Sequence, residues 1–272
     1  MPSFLLFSLF SWYSFFKVSP SLGNYNGGLF LNGDPAQLRV LEKFVAVSGG
    51  VWDEYSKIVD LSAIWKGVGF NFVFYNFGDF RYSGLVPDDE TNLRYSAFAY
   101  KIGFGYSIAF DRNLYFGISP QYQRFEYYNQ YAEGFTMNVG LLHLVRRVGL
   151  HYEIFLRDFG LSSSEGYNFP GTFNASIGFS PRPNINLNYL YSKEISNGRG
   201  DFIAKGVVHR FGGVYSYKDL LIPSIALYLG DELRLFNIGL KFKILKSAFV
   251  YYNLTYRKSG FSPIHIFTLG VE

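Results

Sequence analysis

From residue 41 onwards, long segments of this chain alternate between apolar residues and polar or small ones. In residues 184–192, one face of an extended backbone carries Ile, Leu and two Tyr, whereas the other carries Asn and Ser. The same alternation runs through residues 115–122, 149–157, 172–179 and 234–244. Successive side chains point to opposite faces of a strand, so a period of 2 predicts β-strands and not helices.

These segments run to about ten residues, whereas strands of soluble sheets usually have about 5–6. One apolar face and one polar face per strand are typical of a transmembrane barrel. Lipid cannot satisfy the backbone groups of an open sheet edge, so the sheet must close. We therefore predict an all-β fold, a transmembrane antiparallel β-barrel of about 14 strands, with a short N-terminal helical plug segment. The predicted strands span residues 41–51, 57–66, 68–77, 92–110, 114–128, 133–145, 147–159, 169–181, 183–194, 203–217, 220–229, 233–244, 247–257 and 261–271.

A soluble β-sandwich is the alternative, in which the apolar faces pack on each other and not on lipid.

The amino-acid composition excludes several other classes of protein. The 272 residues include no cysteine, which excludes disulfide scaffolds and thiol chemistry. Aromatic residues make up 21% and charged residues only 17%, which is unlike a disordered chain. The net charge of +4 is scattered along the sequence, so no nucleic-acid partner is predicted.

The N-terminus carries its own signals. Residues 4–16 form an apolar run that is too short to span a bilayer as a helix but has the length of a secretory signal core. The alternative is that this run belongs to the folded protein. Asp34 followed by Pro35 predicts the start of a short helix. We divide the chain into a signal peptide at 1–22, a plug segment at 23–40 with Asp34, Pro35, Ala36 and Leu38, and the barrel at 41–272.

Two long connections stand out, at residues 78–92 and 160–169, and long loops of such barrels usually face the cell exterior. The first carries Phe80, Tyr82, Leu85 and Val86 beside three acidic residues. Apolar residues on an exposed loop predict a docking surface for a partner. The alternative is that they pack against neighbouring loops.

Polar residues on the strands are candidates for the lumen face. They are His151, Glu153, Arg157, Asn184, Asn186, Asn188, Lys241 and Lys243. They would form a charged path or contact the plug, or else simply pair with each other, because a barrel interior has to be polar and paired. Glycines at 105, 117, 140, 178 and 239 either leave room for a plug or ligand or relieve crowding.

No motif predicts catalysis. The chain has neither HExxH nor GxSxG, and the best acid–base pair is His151 with Glu153, which is more simply explained as an ordinary lumen pair. We therefore predict a non-enzymatic protein with no catalytic residue, metal or cofactor.

Several short motifs, taken in order, resemble the PorV/PorQ family of outer-membrane barrels, which is FadL-like. Residues 33–38 are similar to the family's N-terminal "asn-pro-ala-gly-leu" helix, with Asp34 in place of Asn and Gln37 in place of Gly. Further similar segments are 114–119, 157–160, 169–172, 251–256 and 265–269, so the resemblance covers roughly residues 24–272. This chain ends in Glu272, whereas barrel assembly signals usually end in an aromatic residue.

The resemblance implies a fourteen-stranded barrel with an N-terminal plug in the outer membrane of a diderm bacterium, in contact with outer-membrane lipid. Relatives serve type IX secretion or pass hydrophobic molecules. The first expectation is therefore a factor for protein secretion or surface attachment, with secreted proteins or other secretion-machinery components as partners. The alternative is a FadL-like transporter of hydrophobic compounds, with a hydrophobic small molecule as partner. A plain structural barrel is the third hypothesis.

Overall fold

The computed structural model describes residues 34–41, 43–51, 56–81, 94–127, 130–162, 171–195, 206–230, 234–257 and 263–272. The predicted signal peptide at 1–22 and the start of the plug segment lie outside these residues. Fourteen strands follow one short helix. They are β1 (Lys43–Val51), β2 (Lys57–Trp65), β3 (Val68–Arg81), β4 (Arg94–Ala109), β5 (Leu114–Tyr127), β6 (Gln130–Val145), β7 (Leu150–Ser162), β8 (Gly171–Arg182), β9 (Ile185–Ile195), β10 (Val207–Tyr215), β11 (Leu221–Gly230), β12 (Arg234–Lys243), β13 (Ala248–Arg257) and β14 (Ile264–Val271).

The strands form one closed antiparallel barrel in which each strand pairs with its sequence neighbours. β1 closes the sheet against β14, with Val45 opposite Val271 and Val51 opposite His265. Closure leaves no strand with an unpaired edge, as a spanning sheet requires. The prediction of a fourteen-stranded antiparallel barrel is therefore confirmed, and the two-sheet sandwich is excluded.

The two faces of the barrel wall differ in polarity, and the polar face points inwards. Outward side chains are apolar and exposed, for example Phe104 at 59% and Phe135 at 71%. Inward positions hold polar residues such as Asn71, Asn138 and Asn253, each fully buried. A soluble barrel would have the opposite arrangement, so the apolar belt must face lipid. The protein is a barrel of the bacterial outer membrane. No helix among the described residues is long and apolar enough to cross a membrane.

The two ends of the barrel have connections of different length. At one end, which also holds both termini of the barrel, strands are joined by short turns such as residues 66–67, 110–113 and 183–184. We call this the turn end. The opposite end, the loop end, carries the connections at 82–93, 163–170 and 196–206. Short turns of such barrels face the periplasm and long loops face the exterior. Both predicted long loops lie at the loop end, and the third was missed because β10 begins four residues later than predicted.

An irregularity in strand pairing accounts for one boundary that the sequence placed wrongly, the end of β3. Gly78 adopts a positive φ of 90°, and its N–H donates to Asn76 Oδ1 at 2.7 Å. The register between β3 and β4 shifts here and β3 continues to Arg81. Phe80 therefore belongs to a strand and not to the predicted loop. Tyr82, Leu85 and Val86 lie outside the described residues, so the docking surface stays a prediction.

Candidate functional site

The plug begins as a short helix at the position that the sequence indicates. Residues Pro35–Arg39 form a 3-10 helix, and the Ala36 N–H donates to the side chain of the N-cap residue Asp34 at 2.8 Å. Backbone bonds run from Gln37 N–H to Asp34 O and from Val40 N–H to Gln37 O, so each spans three residues. The predicted capping is confirmed, and the three-residue bonds make the segment a 3-10 helix.

Apolar contacts seat this segment inside the turn end of the lumen. Leu38 is fully buried in a cluster with Phe44, Ile64 and Phe249. Ala36, also fully buried, packs against Tyr115 of β5 and a leucine of β6. One cluster lies at β1, β2 and β13 and the other at β5 and β6, so two parts of the wall hold the plug segment inside the lumen.

Three hydrogen bonds also join the plug helix to the barrel. The Gln37 side chain donates to Glu153 Oε1 at 2.6 Å, and the Ser107 hydroxyl donates to Ala36 O at 3.0 Å. Arg39 donates to Lys66 O at 2.8 Å, in the β2–β3 turn. Glu153 is buried and also accepts from the Ser176 hydroxyl at 3.0 Å. The structure thus places the predicted lumen residue Glu153 against the plug, through Gln37, which the sequence analysis named only as a departure from the family motif.

Two glycines of the wall leave the space that the plug occupies. A Cβ at Gly117 would overlap the backbone of Pro35 and Ala36, and one at Gly140 would overlap the Asp34 carboxylate. The glycines at 178 and 239 instead make room for His151 and for Tyr251, two side chains of the barrel wall. For Gly117 and Gly140, the structure therefore favours the plug among the alternatives that the sequence left open.

Asp34 is buried with a charge that its surroundings do not favour. Its Oδ2 has no hydrogen-bond partner among the described residues. Burial raises the pKa of this carboxyl well above its usual range, and the nearby Glu153 carboxylate raises the pKa further, although the Ala36 N–H lowers it. Docking of the plug therefore favours the protonated carboxyl.

Asp34→Asn is expected to strengthen plug docking at neutral pH, by about 1 kcal/mol, because asparagine caps a helix equally well without charge. In the wild type, docking should be strongest below the ordinary aspartate pKa of about 3.9 and weaken as the pH rises through the raised pKa. A spin label on Val40→Cys, an exposed position in a chain without native cysteine, would report plug mobility between pH 4 and 8. An equal pH slope in the asparagine variant would contradict this account.

A buried ion cluster lies halfway along the lumen. Lys101 Nζ is 2.7 Å from Asp158 Oδ1, and Arg157 Nε is 3.2 Å from Asp158 Oδ2. The sequence pattern points Arg157 inwards, but neighbouring Asp158 should then point to lipid. A bulge opposite Asn138 turns Asp158 inwards with φ 55°, and its N–H donates to Asn138 Oδ1 at 2.8 Å. Sequence reasoning missed Asp158 because it assumed an unbroken strand, and it did not single out Lys101.

A second cation is buried without an ion pair. Arg210 is 5% exposed, donates to Asn188 Oδ1 at 3.0 Å and lies over the Tyr228 ring at 5.4 Å. Its Nε has no hydrogen-bond partner, and no carboxylate lies within 4.0 Å of it in the part of the chain that is described. Burying a guanidinium with an unpaired donor is costly, so Arg210 has the capacity to donate to a polar or anionic group.

Above this polar layer, the loop end of the lumen is apolar. The inward side chains from six strands pack into one cluster there, which we call the loop-end cluster. Its buried members are Phe77, Ala97, Ala99, Phe125, Ala226, Tyr228, Leu235, Ile264 and Ile266. Phe77 and Phe125 meet edge to face with centroids 6.1 Å apart. Sequence analysis assigned the lumen to polar residues and therefore missed this cluster.

The remaining candidates are spread over the lumen. Lys241 and Lys243 both form ion pairs with the side-chain carboxylate of Glu272. Asn186 donates to the Ser180 hydroxyl at 3.0 Å. Asn184 was predicted on a strand face but lies in the turn before β9, because β8 runs to residue 182. His151 faces inwards beside Gly178. Among the described residues, no group of three or more His, Cys, Asp or Glu could hold a metal ion.

Several solved structures share this architecture. CymD, a monoaromatic hydrocarbon channel, matches with a TM-score of 0.63 and 10% identity over 91% of this chain and 92% of its own. The toluene transporter TodX of Pseudomonas putida matches with 0.61 and 9% identity over 92% of each chain. A FadL homologue of Pseudomonas aeruginosa matches with 0.52 and 9% identity over 90% and 93%.

At such identities the likeness establishes the fold, a FadL-like outer-membrane barrel. No family model matches the sequence, and no curated protein matches it significantly. The resemblance to PorV/PorQ in particular has no support from these comparisons.

Proposed function

We propose that this barrel is a non-enzymatic outer-membrane channel for hydrophobic compounds, which enter through the loop end. The loop-end cluster carries this proposal, because polar solutes gain nothing from an apolar mouth, whereas an apolar molecule can replace its side-chain contacts. The likeness to hydrocarbon channels supports the same direction. The alternative of the sequence analysis thereby becomes the leading hypothesis, ahead of secretion or surface attachment.

The lumen arrangement suggests a sequence of contacts for the cargo. An apolar molecule first replaces contacts in the loop-end cluster, whose floor carries the guanidinium of Arg210 next to Tyr228. The ion cluster of Lys101, Arg157 and Asp158 and the docked plug then close the lumen towards the turn end. Passage therefore requires the plug to move, and the plug is the gate of the proposed channel.

Ala99→Phe is expected to reduce uptake of an apolar cargo at least about tenfold, because the ring fills space in the loop-end cluster and packed interiors accommodate extra volume poorly. Ala99 is 5% exposed and points inwards. The measurement is uptake of labelled toluene by cells of a diderm host that carry the barrel. Ala175→Phe, on the outward face of β8, is the matched control and should transport normally. Equal uptake by both variants would contradict the channel.

The secretion hypothesis is tested on the same protein. Native mass spectrometry of the barrel extracted gently from its own membrane should show a retained apolar molecule. A co-purifying secreted protein without such a ligand would contradict the channel and favour the secretion hypothesis.

A further inference from the structure

A cavity lined by several charged side chains lies at the turn end, outside the wall segments that face lipid. It measures about 560 Å³ and lies between the plug helix and the turns that follow β4 and β6. Its lining includes Arg39, Arg112, Arg146, Asp111 and Tyr115. Cavities of about 300–1,000 Å³ are the size of small-molecule sites. This one is therefore too large for a single ion and suits a small molecule or a head group.

The charges in this cavity are unbalanced. Three guanidinium groups face the cavity, and the groups that accept their hydrogen bonds are neutral. Arg39 donates to Lys66 O, and Arg146 donates to the Tyr115 hydroxyl at 3.2 Å. Within the described chain, no carboxylate lies within 4.0 Å of any of the three guanidinium groups.

Asp111 is the one carboxylate in the lining, and one of its oxygens accepts hydrogen bonds within its own turn. Its Oδ1 accepts the N–H groups of Asn113 and Leu114 at 2.6 and 2.7 Å, within its own turn. These two hydrogen bonds lower the pKa of Asp111, so it stays ionised and offsets one of the three positive charges. The cavity keeps a positive field and spare guanidinium donors.

We propose that this cavity binds a phosphate group. Guanidinium groups bind oxyanions through paired N–H donors, and a phosphate offers acceptor oxygens to more than one arginine at once. The phosphate is carried by a small soluble molecule of the periplasm or by a phospholipid head group of the inner leaflet, because the turn end faces that side.

Binding at this site also stabilises the docked plug. Arg39 belongs to the plug helix, whereas Arg112 and Arg146 belong to turns of the barrel. A ligand that contacts both parts binds the docked state more tightly than the open state, and so shifts the population towards the docked state. The phosphate is then a ligand that closes the turn end, and its binding does not depend on the cargo proposed above.

The test uses the purified full chain in phosphate-free detergent. Calorimetric titration with inorganic phosphate and glycerol 3-phosphate covers the soluble source. Vesicles of phosphatidylcholine with or without phosphatidic acid cover the lipid source. At least one probe should bind, and Arg112→Gln with Arg146→Gln should weaken binding about tenfold or more. Arg147→Gln, an exposed neighbour outside the cavity lining, is the matched control and should bind normally.

A variant of the plug separates loss of the site from loss of the fold. Arg39→Gln leaves both barrel turns intact and should weaken binding as well, while the bound probe should reduce the mobility of a spin label at position 40. Binding of the soluble phosphate or of the lipid alone identifies the source. Absence of binding by every probe, or an equal loss in Arg147→Gln, would overturn the proposal.

Discussion

Gly117→Val is expected to displace the plug from the lumen while the barrel stays folded. The valine side chain would occupy the space of the Pro35 and Ala36 backbone, and backbone cannot rotate away as a flexible side chain can. Overpacking in a close-packed interior typically costs about 1–3 kcal/mol. Undocking of the five-residue helix relieves this overlap more easily than distortion of a strand bonded on both sides.

The consequence is an open pore, which is measured as single-channel conductance in planar bilayers. We expect higher and more continuous conductance in Gly117→Val and greater mobility of the label at position 40. Gly49→Val is the matched control, because nothing lies within 4 Å of a Cβ at that position. It should retain the wild-type conductance. A closed Gly117→Val barrel with an immobile label would show that the wall moves and not the plug.

Asp158→Asn is expected to destabilise the barrel by about 3 kcal/mol, the cost usually found when one partner of a buried ion pair is removed. The asparagine keeps the shape but leaves Lys101 and Arg157 without the negative charge between them. Their side chains are only 14% and 11% exposed, so water screens the two cations poorly. The effect arises from the cations left behind and not from a contact that is lost.

Urea unfolding in lipid vesicles measures this difference directly. Glu126→Gln is the control, because it breaks the Arg124–Glu126 pair on the outer wall, where both side chains are about one-third exposed. Exposed pairs contribute about 0–1 kcal/mol. A loss in Asp158→Asn no larger than in this control would mean that Lys101 and Arg157 find other compensation in the lumen.

Much of the architecture could be predicted because it follows from local patterns. The alternation of side chains identifies the strands, and an apolar outer face with a polar inner one identifies the membrane as the solvent. The Asp34–Pro35 cap locates the plug helix, and Lys66-Gly67 marks the turn after β2, where both residues have positive φ. Each of these features depends on neighbours in sequence and on no distant contact.

The side-chain contacts inside the lumen could not be predicted in the same way. Gln37 and Glu153 are 116 residues apart, and Lys101 and Asp158 are 57 apart. Whether such residues meet depends on strand register and tilt across several intervening strands. A bulge of one residue reverses every side chain beyond it. At Asp158, the bulge moved a carboxylate from the predicted lipid face into the lumen.

The sequence therefore determines the secondary structure, the membrane environment and the position of the plug helix, since these depend on the solvation and geometry of single segments. The tertiary structure decides which residues meet inside the barrel. Closure of the sheet brings the glycines of β5 and β6 against the plug, gathers the loop-end cluster from six strands and sets three arginines around one cavity. These contacts arise from the shape of the closed barrel, which no single strand encodes.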